Sequence, residues 1–335
     1  MKRQLSLFAL LVLIVAGLPL RAPAPFVYRP GEGWSYESAG SVGKWLRTRA
    51  RDQLDVAQAA FDAKDYSTAQ LAARRILAVW PLSDFAPKAA YLLARCHEAT
   101  GHDEQAFKEY QSLLDKYPNA ADYEEVLHRQ FEISNRFLAG ERFRLWGTIP
   151  TFSSMPKTVG LYQQVITNGP FSEVAPQAQL NIGTAYEKQF KFMQDNEPYA
   201  QAAKAYALAA DRYHDRPQVA AEALFREGLA IEKQSKKAEY DQSTAAQAIA
   251  TFVDFMTLFP DDPRVKDAQT IISQLKLEQA RGYFQTAKYY ESKKQWKGAR
   301  IYYNEVVSRS PDSPYKNESL QRISELTKLI EKTPQ

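Results

Sequence analysis

Cysteine and histidine are scarce in this chain of 335 residues, which contains one cysteine and four histidines. The single cysteine, Cys96, cannot form an intrachain disulfide, so a fold held together by disulfides is excluded. The sequence also lacks the GxSxG, HExxH, Walker A and glycine-rich dinucleotide patterns of common catalytic and nucleotide-binding sites. The sequence therefore predicts no catalytic residue, no cofactor and no enzymatic activity.

A strong overall charge is missing as well. The 43 basic and 39 acidic residues leave a net charge of +4, which argues against nucleic acid as a partner. Cys96, His97 and His102 lie close together in the sequence, but their spacing matches no zinc motif. We expect Cys96 to be a small buried residue and His97 to fill space beside it, so no metal site is predicted.

The N-terminus has the pattern of an export signal. Lys2 and Arg3 precede an apolar run from Leu5 to Val15, which is shorter than the ~20 residues that a membrane span needs. We predict a signal peptide over residues 1–24, with cleavage after Gly17 favoured and an uncleaved anchor left open. Leu18 stands where a bacterial lipobox would carry the lipidated cysteine. Residues 25–46, rich in proline and glycine, are predicted to be an extended leader whose Trp34 and Tyr36 can dock on the first repeat.

One phrase occurs twice in the chain. Residues 81–89 read PLSDFAPKA and residues 170–178 read PFSEVAPQA, and both precede an apolar helical pattern. Such self-similarity indicates an array of repeated units, each unable to bury its apolar face alone. Proteins of this kind usually hold partners.

The repeat unit is similar to the tetratricopeptide (TPR) motif, a helix–turn–helix of ~34 residues. In the last unit Ala287 and Ala299 occupy the small positions, and Tyr290 and Tyr303 occupy the large ones. Prolines end each unit, because proline stops one helix and suits the first turn of the next; these are Pro81, Pro118, Pro170, Pro217, Pro260 and Pro311.

The predicted fold class is all-α, a right-handed superhelical solenoid of TPR-like helical hairpins. We expect about six hairpins and a capping helix within residues 47–333, with the final helix in residues 312–333. Insertions are expected near residues 141–156 and 234–243, and such insertions often lie on a binding face. The apolar insertion with Trp146 can fold back on the array or meet a partner.

The repeats also resemble the BamD family, whose members are periplasmic parts of the machinery that assembles outer-membrane β-barrels. The likeness is best over residues 80–118 and 289–311, and it includes the pairs Tyr289-Tyr290 and Val306-Val307 around Ala299. The family's arginine after this alanine turn corresponds to Tyr302, with Arg300 on a neighbouring face. The resemblance implies a scaffold at the inner face of the outer membrane, peripherally attached. Its implied partners are a barrel-inserting protein and unfolded outer-membrane protein segments.

Two surfaces are candidates for partner binding. Unfolded segments are expected at the early hairpins, and the barrel-inserting protein at the late hairpins. The predicted contact residues are Lys88, Tyr91, Arg95, Trp146, Tyr289, Lys293, Arg300 and Tyr302. Tyr283 and Tyr290 coincide with core positions and are expected to be buried.

Two other functions stay open at this stage. One is a different envelope adaptor of the Tol–Pal or cell-wall coordination type. The other is an envelope enzyme with a helical superhelix, such as a transglycosylase, which would need a separate catalytic module with a positioned glutamate.

Overall fold

A computed structural model describes residues 26–31, 33–36, 45–119, 122–145, 149–189, 197–235 and 242–332. The predicted signal peptide, residues 1–24, lies outside this part of the chain. The protein divides after Val126 into two compact units. The described residues form thirteen helices and four short strands.

The first unit contains one β-hairpin and two complete helical hairpins. Its strands are β1 (Phe26–Arg29) and β2 (Gly33–Tyr36), and its helices are α1 (Ala50–Asp62), α2 (Tyr66–Val79), α3 (Ala86–Ala99) and α4 (Asp103–Lys116). Helix α5 (Tyr123–Ala139) begins here and continues into the second unit. Alanines and leucines from the facing helices form the core around Ile76 and Trp80.

The second unit contains the rest of the helices and a second β-hairpin. The strands are β3 (Phe143–Leu145) and β4 (Ile149–Phe152). The helices are α6 (Met155–Asn168), α7 (Ala175–Gln189), α8 (Glu197–Arg212), α9 (Pro217–Ser235), α10 (Gln242–Leu258), α11 (Val265–Ser292), α12 (Trp296–Arg309) and α13 (Lys316–Lys332). Consecutive pairs from α1 to α12 make six helical hairpins and α13 follows them, so the predicted all-α fold of TPR-like hairpins is confirmed.

The duplicated phrase has the same structural task in both places. Ser83 donates a hydrogen bond from Oγ to the carbonyl of Trp80 at 2.9 Å, and Ser172 does so to Gly169 at 2.8 Å. The carbonyl of the first proline in each phrase then accepts a hydrogen bond from the hydroxyl of a tyrosine at the end of a later helix. Tyr117 binds Pro81 at 2.9 Å and Tyr213 binds Pro170 at 3.3 Å. The phrase thus fixes the junction between one hairpin and the next.

Small and large residues interlock inside the hairpins, as the TPR pattern predicts. Ala287, Ala299 and Tyr303 are fully buried in one cluster. In the fourth hairpin, a Cβ placed on Gly183 would lie only 2.4 Å from the ring of Tyr206. The helices therefore approach closely because one side of the contact has almost no side chain.

The large tyrosines also make a polar contact that recurs along the chain. Each phenol donates to a glutamate near the end of the preceding helix, and the pairs are Tyr110–Glu98 at 2.9 Å, Tyr206–Glu187 at 3.0 Å and Tyr303–Glu291 at 2.9 Å. Burial raises the pKa of Tyr206 to about 12, and the negative charge of Glu187 adds to the effect. These phenols stay protonated and serve as buried hydrogen-bond donors.

The structure differs from the sequence analysis in three elements. The leader contains the β1–β2 hairpin, and the exposed fraction of Trp34 is 62%, so most of this ring faces solvent. The insertion over residues 141–156 contains the β3–β4 hairpin, with Phe143 stacked on Phe137 at 4.2 Å. Helix α11 runs for 28 residues without a break and packs against the cores on both sides of Ala280.

Candidate partner-binding surfaces

The first unit has an open cavity of about 570 Å³. It is called here the first-unit cavity. Its walls come mainly from the first helices of neighbouring hairpins, with α1, α3 and the start of α5 each contributing. The lining residues are Leu54, Asp55, Gln58, Phe61, Pro87, Lys88, Tyr91, Leu92, Arg95, Leu113, Asp122 and Glu125. The structure therefore brings together all three residues that the sequence assigned to the early surface.

Charged groups alternate in sign around the first-unit cavity. Tyr91 donates its phenol to Glu125 Oε1 at 3.0 Å, and Arg95 donates to the Tyr91 hydroxyl at 3.3 Å. The Arg95 guanidinium lies 5.8 Å from the ring centre of Phe61 and 3.8 Å from a carboxylate oxygen of Glu98. Both signs of charge thus stand over an apolar floor, which suits a peptide that offers backbone groups and apolar side chains.

The second unit has a larger cavity of about 1160 Å³, called here the second-unit cavity. Helices α9, α10, α11 and α12 line it. Four of its lining residues are tyrosines, namely Tyr283, Tyr289, Tyr290 and Tyr302. Its polar lining includes Glu278, Arg281 and Gln242, and the first two form an ion pair at 2.8 Å.

The four tyrosines form a continuous aromatic surface. The rings of Tyr290 and Tyr302 stack with centres 5.2 Å apart and planes 15° apart. Tyr283 lies 6.4 Å from Tyr302, and Tyr289 lies 6.0 Å from Tyr290 in an edge contact. Gly298 leaves room for this arrangement, because a Cβ at this position would lie 2.9 Å from Tyr290.

The late residues chosen from the sequence fall into two groups. Tyr289 and Tyr302 line the second-unit cavity, and the Lys293 ammonium lies 5.7 Å from the ring centre of Tyr289. Arg300 is half-buried on α12 and is not part of the cavity lining. Trp146 lies outside the described residues, so its role stays a prediction.

Tyr283 and Tyr290 correct a further expectation. The sequence predicts buried core residues, but both rings are only half-buried and one side of each faces the cavity. Phe284 is buried in the core instead and packs edge to face against Tyr303 at 5.6 Å. Tyr283 and Phe284 are adjacent in the sequence, so the repeat pattern alone does not show which of the two rings is buried. Packing against the neighbouring helix determines this.

Several functional candidates were missed in the sequence. Asp122, just before α5, and Glu125, on α5, complete the first-unit cavity, and the contact of Glu125 with Tyr91 on α3 depends on tertiary packing. Gln242 Oε1 in the second-unit cavity is buried and has no hydrogen-bond partner among the described residues. A buried acceptor of this kind invites a donor from a ligand.

The described residues contain neither a metal-binding cluster nor a helix suited to crossing a membrane. No group of three or more histidine, cysteine, aspartate or glutamate side chains among them is arranged to hold a metal ion. Within the same part of the chain, no helix combines the length and the hydropathy that crossing a bilayer requires. Cys96 is fully buried, and burial raises the pKa of its thiol to about 11.

Comparison with protein families agrees with the repeat architecture. A tetratricopeptide repeat model matches residues 88–120, which places the chain among TPR proteins. The YfiO model, described as an outer membrane lipoprotein, matches residues 159–333, more than half of the chain. The chain therefore belongs to the YfiO family, as a TPR-repeat protein of BamD type.

Solved structures similar to this chain include other repeat proteins. The C-terminal part of a TPR repeat-containing protein from Cytophaga hutchinsonii is 13% identical, with a TM-score of 0.36, and the match covers 81% of this chain and 88% of that one. A tetratricopeptide repeat protein from Parabacteroides merdae is 11% identical, with a TM-score of 0.34 and coverages of 82% and 98%. Similarity this low carries no argument about function. No curated protein matches the chain.

Proposed function

We propose that this protein is a non-catalytic scaffold in the assembly of outer-membrane β-barrel proteins and that it works on the periplasmic side of the outer membrane. Membership of an outer membrane lipoprotein family supports an envelope location. Two open cavities lined by hairpin helices support a task of holding other chains. TPR proteins commonly bind partners on such surfaces.

The first-unit cavity is the proposed site for an unfolded outer-membrane protein segment. Its volume of about 570 Å³ is in the range of pockets that hold small ligands, so it takes a few residues of an extended chain. Leu54, Phe61 and Leu92 offer apolar contact, while Lys88 and Arg95 can hydrogen-bond to backbone carbonyls. Such contacts do not depend on the sequence of the bound segment. A protein that binds diverse outer-membrane protein segments needs contacts of this kind.

The second-unit cavity is the proposed site for the barrel-inserting protein. A surface of four tyrosines offers large contact area at low entropic cost, and aromatic residues dominate the binding energy of protein interfaces. Gln242 adds a polar side chain to the lining of the cavity. Lys293, held beside Tyr289, adds a positive charge at the rim.

The observation that carries the proposal is the stacking of Tyr290 on Tyr302 at the edge of a large open cavity. The test is affinity capture from solubilised outer membranes with the wild-type chain and a Tyr289→Ala, Tyr302→Ala double variant. We expect the wild type to retain a β-barrel assembly protein and the double variant to lose it. Ile301→Ala is the matched control, because Ile301 is exposed on the same helix but does not line the cavity.

Two outcomes would reverse the proposal. If a Tol component is recovered in place of a β-barrel protein, the protein is an envelope adaptor of the other type. If the double variant captures the β-barrel protein as well as the wild type, the tyrosine surface is not the binding site.

A further inference from the structure

An exposed apolar patch lies at one end of the first unit. It consists of Tyr28 and Trp34 on the β1–β2 hairpin and Val79 and Leu82 at the end of α2, and these side chains are between 42% and 93% exposed. The rings of Tyr28 and Trp34 lie 5.3 Å apart. The tip of the hairpin is tied to the same turn, since the backbone amide of Asp84 donates to the Gly31 carbonyl at 2.7 Å.

Positive charge is concentrated in the same part of the chain. Residues 25–51, which follow the predicted signal peptide, hold five lysines and arginines against two glutamates, a net charge of +3, whereas residues 52–335 carry −2. Arg49 and Arg51 are exposed at the start of α1. Arg75 lies one turn before Val79 on α2 and donates to the Arg47 carbonyl at 3.5 Å, which places the basic segment beside the end of α2.

We infer that this end of the first unit is a docking surface for an anionic phospholipid membrane. Tryptophan and tyrosine favour the interface between lipid and water, where the ring is in an apolar layer and the polar atom is hydrated. Basic residues near such a surface are attracted to anionic headgroups. The apolar pair, the exposed leucine and the arginines together provide both contributions. The inference does not depend on the partners proposed for the two cavities.

The test places a fluorophore at the patch. Leu82→Cys is labelled with an environment-sensitive maleimide dye in the full chain and mixed with vesicles that contain phosphatidylglycerol. The native Cys96 is fully buried with a raised pKa, so it is not expected to react, and the labelled wild type checks this. Phe171→Cys is the matched control, because Phe171 is the equivalent residue of the duplicated phrase and is 89% exposed.

We expect the dye at position 82 to shift to the blue when vesicles are added and the dye at position 171 to stay unchanged. Tyr28→Ser with Trp34→Ser should abolish the shift. Arg49→Gln with Arg51→Gln should weaken partitioning about thirtyfold, since each basic residue near an anionic surface contributes about fivefold.

Three results would overturn the assignment. The first is no shift at position 82. The second is an equal shift at positions 82 and 171, which would indicate general adsorption of exposed apolar residues. The third is protection of position 82 by an envelope protein in the absence of lipid, which would make the patch a protein interface.

Discussion

The two cavities of this protein are built from the same kind of hairpin, yet their linings differ in chemistry. The first-unit cavity carries both signs of charge, with Arg95, Tyr91 and Glu125 in one hydrogen-bonded row. The second-unit cavity presents a stacked aromatic surface centred on Tyr290 and Tyr302. In both units the packed faces of the helices keep the repeat pattern. The open faces do not pack against other helices, so their residues need not follow the repeat pattern. The two units have therefore acquired different recognition chemistry.

The largest expected effect comes from substitutions that disrupt the kind of packing that both units share. Ala69 and Ala299 are equivalent small positions in the first and last hairpins, and both are fully buried. Ala299→Glu places an unpaired charge in a close helix contact and should lower the free energy of unfolding by roughly 3 kcal/mol or more. Urea unfolding measures this change. Ala69→Glu should behave alike in the first unit, and Asn304→Glu on the exposed face should leave the midpoint unchanged.

A smaller change affects the aromatic surface directly. Gly298→Ala forces the ring of Tyr290 to move, because the new Cβ would lie 2.9 Å from it. We expect a cost of about 1–3 kcal/mol from overpacking, together with weaker capture of the β-barrel assembly protein. Gly160→Ala is the control, since nothing lies within 4 Å of its Cβ. Equal stability of Gly298→Ala and the wild type would show that the aromatic surface tolerates movement.

The cavities should also differ in their response to salt. Arg95→Ala should weaken binding of a urea-unfolded β-barrel protein, after dilution, by about 1–2 kcal/mol. Binding at the first-unit cavity should fall between 0.1 M and 1 M salt, because the screening length shrinks from about 10 Å to about 3 Å. Binding of the barrel-inserting protein to the tyrosines should change little over the same range. Titrations by fluorescence anisotropy test both, and identical salt dependence would remove the distinction.

A change of about 1 kcal/mol is expected at two turns. Lys64 and Lys294 occupy the turn that follows the first helix in the first and last hairpins, with φ angles of 61° and 58°. The equivalent turn of the second hairpin uses Gly101 at 68°. The left-handed backbone disfavours side chains by about 1–2 kcal/mol, so Lys64→Gly and Lys294→Gly should each raise the thermal midpoint. Lys64→Ala and Lys294→Ala should leave the thermal midpoint unchanged, because they remove the charge but keep a side chain on the left-handed backbone. The comparison therefore distinguishes an effect of backbone strain from an effect of charge.

One expected effect depends on pH and belongs to the second unit. Burial, with Asp254 and then Asp211 nearby, raises the pKa of Glu227 from 4.5 to about 7. The folded state then binds a proton more tightly than the unfolded state, so this group costs stability as pH rises from 4.5 to about 7. The stability advantage of Glu227→Gln over the wild type should therefore grow across that window. Asp254→Asn should reduce the growth, and an advantage independent of pH would contradict the assignment.

The repeat pattern is strong enough to be read from the sequence where packing is local. Ala299 and Tyr303 lie where the TPR spacing predicts, since small and large residues facing each other leave a periodic signature. The junction prolines follow the end of the preceding helix as predicted, but only Pro217 opens the next one; the other five lie in turns, five residues before the next helix begins. The β3–β4 hairpin could not be predicted, because its short strands contain Pro150 and flank Gly147, which are signals for a loop.

The candidate sites were only partly predictable. Lys88, Tyr91 and Arg95 have helical spacing, so their shared face follows from the sequence alone. Their neighbours Asp122 and Glu125 lie on another hairpin, and the sequence holds no signal for that contact. Helix α11 continues through Ala280 without a break, because no proline or glycine interrupts residues 265–281.

Site-specific photocrosslinking in the intact envelope tests the central claim most directly. A photoreactive phenylalanine analogue replaces Tyr91 in the first-unit cavity or Tyr289 in the second-unit cavity, and the crosslinked proteins are identified by mass spectrometry. The account predicts unfolded outer-membrane protein segments at position 91 and a β-barrel assembly protein at position 289. The same partner at both positions, or a Tol component at position 289, would contradict it.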